Sequence, residues 1–283
     1  MSNGLNISLK SYDSIFQSEE QRNTEEIKPV PISELKPFTE QPFKVKLDED
    51  MDALVESIKQ CGVLTPVIAR PHKDGGYEIL SGHRRVKACE LAGITDIPVV
   101  VKNLDDDTAT ILLVDSNLQR EHILPSEKAF AYQMKLEAMK RKAGRPEKEN
   151  FVQIGQNKSP YNSRQELSEQ TGESSVQIQR YIRLTNLIDP ILDMVDNNQI
   201  AMNAAVEISY LGSKEQAAVM QSIEKEETSP SIAQARKMRK FHQEGNLSNA
   251  VINSIMMEQK PETVKITLGE EKLKKYFPKS YSK

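Results

Sequence analysis

The spacing of apolar residues changes along the chain, and each change marks a different element. In LDEDMDALVESIKQCG, Met51, Leu54, Val55, Ile58 and Cys61 recur at helical spacing, acids crowd the first turn, and Gly62 stands where a helix terminator belongs. TPVIARP and YEIL are short apolar runs on either side of the turn KDGG, the pattern of two paired strands. EILSGHRRVKACELAGITDIPVVV, residues 78–101, reads as strand, tight loop, a helix from Arg84 to Ala92 closed by Gly93, and strand again. DDDTATILLVDSNLQR opens a further helix at its acidic end. Upstream, the prolines of IKPVPISELKPF favour extended chain. Residues 1–27 scatter Leu5, Ile7, Leu9, Ile15 and Phe16 among acids too thinly for a core, so a mobile arm is expected.

From Pro125 onward the period turns helical. SEKAFAYQMKLEAMKRK reads as one long helix, AGRPEKENFVQIGQNKSPYN breaks the pattern as an exposed loop, and short helices return from residue 163 to 245. The tail ETVKITLGEEKLKKYF reads as strand, Gly turn and short helix, too small to fold alone. The expected organisation is an arm (1–27), an α+β module (28–122), an all-α region (123–245) and a C-terminal segment (246–283).

Composition narrows this picture. The 283 residues leave room for two or three domains, and 5% aromatics with no Trp suit small helical units better than one large core. A net charge of -3 advertises no nucleic acid, so any binding face has to be local. No apolar run approaches the ~20 residues of a membrane helix, and no signal-peptide pattern opens the chain. Cys61 and Cys89 lack metal-ligand spacing and are expected to be small buried apolar groups in a reducing cytoplasm.

Three short segments carry candidate chemistry. They are GVLTPV (Gly62, Val63, Leu64, Thr65, Pro66, Val67), SGHRR (Ser81, Gly82, His83, Arg84, Arg85) and SNLQRE (from Ser116, with Asn117 and Arg120). Singly each has a bland reading: a Gly-Pro turn, a solvated helix start, a polar helix end. Together they form a kit for a nucleotide phosphate. Gly82 lets backbone approach an anion, the helix start offers free N–H groups, Arg84 and Arg85 add fixed positive forks, and Asn117 offers an oxygen to Mg²⁺.

In order and spacing these boxes resemble the N-terminal domain of ParB-type (ParB/RepB) partition proteins, whose boxes read G-V-[IL]-x-P-[IV], G-E-R-R-x-x-A and E-N-L-Q-R. With the helix-turn-helix below, the resemblance runs over residues 28–210. It implies a ParB/sulfiredoxin-like α+β domain binding CTP and Mg²⁺ through Gly62, Leu64, Thr65, Pro66, Ser81, Gly82, His83, Arg84, Arg85, Asn117 and Arg120, with Asn117 at the metal. It also implies a dimeric clamp that closes on DNA with nucleotide and reopens on hydrolysis. The chain departs from the pattern twice. His83 stands where the family has a glutamate associated with turnover. Ser116 stands at the glutamate of the third box, and Asp115, one position earlier, is turned by ~100° around the helix. Binding is therefore expected ahead of efficient hydrolysis, which leaves at most a weak CTPase, and His83 is expected as a phosphate contact rather than a base. Sulfiredoxin's cysteine is missing at His83, and Asp105-Asp106-Asp107 reads as a helix start rather than a nuclease centre.

SRQELSEQTGESSVQIQRYIRLTNL has the marks of a helix-turn-helix. Ser163 and Glu166 fit a capping box, Leu167 faces inward, Gly172 supplies the turn, Ser174 caps the second helix, and Ile178 and Ile182 bury. Arg164, Ser174, Ser175, Gln179, Arg180 and Arg183 are then candidate DNA-facing residues, with Gln177 near the edge, since Gln and Arg read base edges bidentately. An ordinary helical hairpin is the alternative, disfavoured by the ParB-like module before it. KRKAGRP (140–146) reads equally as a DNA-backbone or groove contact and as a solvated helix end. The resemblance further implies double-stranded DNA with a palindromic centromere-like site and a homodimer joined through the C-terminal segment. It also implies a ParA-type ATPase met by the arm, with Lys10 the candidate contact, and a cytoplasmic, nucleoid-associated location with no membrane. A nucleoid-occlusion factor or a transcriptional regulator of a plasmid or mobile element is the alternative within the same fold.

Overall fold

The computed structural model describes residues 27–39, 41–120, 122–144 and 163–258. The arm with Lys10, the segment from Arg145 to 162 and the strand-helix tail lie outside the described residues.

Strand β1 (Ile27–Pro31), a 3-10 turn (Ile32–Glu34) and β2 (Leu35–Lys36) come from the proline-rich stretch, and Pro29 and Pro31 sit on an edge strand, where prolines are tolerated. Helix α1 (Glu49–Cys61), β3 (Val67–Pro71), β4 (Tyr77–Ser81), α2 (His83–Ala92) and β5 (Asp96–Val101) follow. The five strands form one mixed sheet in the order β1-β5-β3-β4-β2, with β1-β5 and β3-β4 antiparallel and β3-β5 and β4-β2 parallel. Asp48 caps α1 by accepting from Met51 N, and Gly62 closes it at φ 71. Met51, Val55 and Ile58 join Val67, Ala69, Ile79, Ile97 and Val99 in one core. Leu54 is half-buried, and Cys61 is exposed, contrary to expectation: in the last turn it is Ile58 that faces this core. Cys89 is buried and free.

Beyond the sheet come α3 (Asp106–Leu118), capped by Asp105, and α4 (Pro125–Gly144). The helical region continues with α5 (Ser163–Thr171), α6 (Ser175–Leu184), α7 (Asp189–Asp196), α8 (Met202–Ile208), α9 (Ser213–Glu226), α10 (Ile232–Gln243) and α11 (Asn249–Met257). Helix α11 places Ile252, Ile255 and Met256 in the helical core, so part of the expected C-terminal segment belongs to this region.

Helix α4 is shared by three apolar clusters. Ala129 belongs to the helical core, and Ala131 joins Leu80, Leu113 and Val114. Tyr132, Leu136 and Met139 meet Leu167 and Ile178 of the helix-turn-helix, with Ile111 and Leu118 of α3 packed alongside. Its buried Lys135 forms an ion pair with Asp115 of α3, and its Ser126 donates from N and Oγ to Asp196 of α7.

Candidate anion pocket and nucleic-acid interface

Gly82 joins β4 to α2 in a left-handed conformation, φ 105. A Cβ there would approach Val67 Cγ2 at 3.0 Å and Arg85 Nη2 at 3.1 Å, so the turn requires glycine on both steric and conformational grounds. The Arg85 guanidinium lies across this glycine, and Nη1 donates to the carbonyls of Thr65 (2.5 Å) and Pro66 (2.6 Å). Arg85 thereby locks the second box onto the first, a structural duty that the expected phosphate fork did not include. The first helical bond runs from Val86 N to Gly82 O, which leaves the preceding first-turn N–H groups without helical acceptors.

Arg84 donates from Nη2 to Asp48 at 3.2 Å, tying α2 to the cap of α1. His83 is only 7% exposed, and its Nε2 has no partner. Burial, and then the positive charge of Arg120, hold its pKa down at about 4, so the imidazole is uncharged at neutral pH. Arg120 lies over the Phe43 ring at 5.5 Å. Burial lowers its own pKa, Arg84 adds to the effect, and Glu127 opposes it. The fold thus brings the three boxes together, with Arg85 joining the first to the second and Arg120 facing the second from the third. Ser81 is half-buried, while Gly62, Thr65 and especially Leu64 (82%) face solvent, with Pro66 half-buried beside them.

The third box gives a different result for the metal. Asn117 is 4% exposed, and its Nδ2 donates to Leu113 O within its own helix at 2.8 Å. Ser116 Oγ donates to the same carbonyl, and Asp115 is turned to Lys135. Glu127 accepts from the backbone N–H groups of Lys44 and Leu124. Among the described residues no group of three or more His, Cys, Asp or Glu side chains is placed to hold a metal ion. Mg²⁺ is usually held through one or two carboxylates besides phosphate, and these residues do not fit that role. The helix start at Gly82, with Arg84, Arg85 and Arg120, fits an anion instead.

In the helix-turn-helix, Gly172 (φ 71) makes the turn, Ser174 caps α6 by accepting from Gln177 N, and Leu167 and Ile178 are fully buried. Arg164, Ser174, Ser175, Gln179 and Arg180 are exposed as expected. Gln177 is half-buried, with Nε2 3.6 Å from Met202 Sδ, and Ile182 is half-buried rather than core. Arg183 departs from the expected outward placement. Its Nη2 donates to Ser209 O at 3.0 Å, and its guanidinium stacks 3.8 Å from the centre of the Tyr210 ring, which Arg239 meets at 3.5 Å. Helix periodicity set Arg183 outward, but Ser209 and Tyr210, just after α8, meet that end of α6. A groove beside α6 is lined by Lys140, Arg164, Gln179, Arg180, Tyr210 and Arg239. Tyr210 and Arg239 were not among the expected residues, since they reach the groove from distant helices and no local motif marks them. Of KRKAGRP, Lys140 and Lys142 are exposed on α4, while Arg141 pairs with Asp107 at 2.7 Å. Asp105 caps α3, and Asp106 pairs with Arg70 at 2.7 Å, so the acidic run is built into the fold.

The model of the ParB N-terminal domain matches residues 16–118, and that of the ParB HTH domain matches residues 159–244. A nucleoid occlusion protein of Geobacillus sp. (strain WCH70) is 37% identical over 119 residues, covering 42% of each chain. The chromosome-partitioning protein Spo0J of Thermus thermophilus is 41% identical over 108 residues, 38% of this chain and 40% of its own. The chain therefore spans less than half the length of these curated relatives. Two crystal structures of C-terminally truncated ParB from Caulobacter crescentus, one complexed to the centromeric parS site and one with CTP-gamma-S, superpose with TM-scores of 0.44 and 0.32. They are 21% and 24% identical and cover 81% and 70% of this chain and 98% of each of theirs.

Proposed function

The chain belongs to the ParB family, and from that premise we propose that it is a sequence-specific DNA-binding partition protein whose α+β module is a CTP-responsive switch. One observation carries this reading: helix α4 packs at once on α3, which ends in the third box, and on α6, the recognition helix. A ligand in the pocket formed by Gly82, Arg84, Arg85 and Arg120 acts on the end of α3, and α4 is the route to the DNA-reading face. The proposal includes a second copy of the chain, a palindromic centromere-like DNA site, a ParA-type ATPase and a nucleoid location. Among the described residues no helix is long and apolar enough to cross a membrane.

Arg180 is exposed at the groove and is assigned to a base edge. Genome-wide crosslinking is expected to mark the site as sharp peaks with flanking spread. On that site Arg180→Ala is expected to cost about 1–3 kcal/mol, with little loss on scrambled DNA, measured by fluorescence anisotropy. Equal loss on both sequences would place Arg180 on phosphate. The similarity to the Geobacillus nucleoid occlusion protein supports a second reading, DNA binding without segregation. Finding an ATPase gene beside this one would favour partition over that alternative.

A further inference from the structure

We propose that the pocket at the start of α2 takes the nucleotide's phosphates without a divalent cation, with His83 Nε2 as one of the donors. This rests on the nucleotide reading above and concerns what accompanies the nucleotide.

Of the buried side-chain atoms left without a partner among the described residues, His83 Nε2 is the one at the start of a helix. A buried polar atom of this kind calls for a partner. Around it the wall offers donors: the first-turn N–H groups of α2, the guanidinium of Arg84 and that of Arg120. Arg85 adds positive charge while its Nη1 is held by the Thr65 and Pro66 carbonyls. Donors and positive charge suit phosphate oxygens.

Among the described residues, the same wall lacks what a divalent cation needs. Asp48 is engaged by Arg84 and Met51 N, Glu127 by two backbone N–H groups, and Asp115 by Lys135. Asn117 is buried, with its Nδ2 donating to its own helix. A cation entering the pocket would face Arg84, Arg120 and the positive end of α2. The imidazole, kept uncharged by burial and by Arg120, supplies a hydrogen bond without adding charge. The one competing contact is the Arg84–Asp48 pair, and both side chains are partly exposed, so Arg84 can exchange a weak surface partner for phosphate.

The test is calorimetric titration of CTP into the full chain, once in EDTA and once with Mg²⁺. The expected result is a Kd that agrees within about threefold in the two conditions. A loss of about tenfold or more in EDTA overturns the proposal while the nucleotide reading stands. No binding in either condition overturns both. Inorganic triphosphate should displace CTP in EDTA, and failure to compete would mean that the phosphates are not what the pocket holds. His83→Glu, which removes the donor and introduces a carboxylate, is expected to weaken CTP about tenfold or more in EDTA, with recovery on adding Mg²⁺. Unchanged affinity of that variant in EDTA would remove Nε2 from the site. If the variant does not fold, the paired titrations of the unaltered chain decide alone.

Discussion

His83 links the pocket's chemistry to the stability of the fold. An unfolded chain protonates it near 6.5, and the folded one only near 4. Between these values the unfolded state holds the extra proton. Stability from this group is therefore complete above pH 6.5, declines as pH falls toward 4 and levels off below. The gap corresponds to roughly 3 kcal/mol. His83→Gln removes the titration and should flatten the urea midpoint across that window relative to the unaltered chain. Parallel slopes would mean that the histidine protonates freely within the fold. The residue's position at the helix start was legible from SGHRR, but its burial was not, because a polar residue at a first turn is ordinarily solvated. Arg85 and Arg183 show the same limit. Their charges and helix faces follow from spacing, whereas their acceptors lie on other segments: the carbonyls of Thr65 and Pro66 for one, and Ser209 with the Tyr210 ring for the other.

Among the elements, α4 carries the most weight. Lys135 is 1% exposed, and its ammonium is paired with Asp115. Asp115→Asn leaves that buried charge uncompensated and should cost about 3 kcal/mol, read as a fall in the urea midpoint. Adding Lys135→Met should recover much of the loss, since an apolar side chain of similar length replaces the orphaned cation. A cost under about 1 kcal/mol for Asp115→Asn would show that the ammonium reaches water. The helices themselves were readable from their apolar period, and the strand-loop-helix-strand run from residue 78 to 101 matches β4, α2 and β5. The partner of Asp115 was not readable, because ion pairs between helices twenty positions apart leave no periodic trace.

For the whole molecule, a net charge of -3 means that the proposed DNA affinity has to come from a local face working against an unfavourable overall balance. Binding should fall steeply with salt, by a log-log slope of about -0.9 for each phosphate neutralised. Arg164, exposed at the groove, is assigned to phosphate. Arg164→Ala should reduce the salt slope by about 1 and leave the preference for site over scrambled DNA intact, measured by anisotropy across a salt series. Lost preference would move Arg164 to a base edge. Fold class and the order of the two units were legible at this scale because hydrophobic period and box order are local signals. Their interlocking was not, since shared clusters such as Tyr132 with Leu167 and Ile111 join segments far apart in sequence.

The interlocking limits how far the molecule can be treated as modular. The two family matches end at residue 118 and resume at 159, and α4 falls in the interval. A chimaera that exchanges helix-turn-helix units between relatives has no neutral seam there. Cutting ahead of residue 125 carries the donor's α4 onto a foreign α3, and cutting after 144 sets the donor's α6 against a foreign α4. Either graft succeeds only if the surfaces around Asp115, Lys135 and Tyr132 are exchanged with it, so the smallest transferable piece is larger than the helix-turn-helix itself.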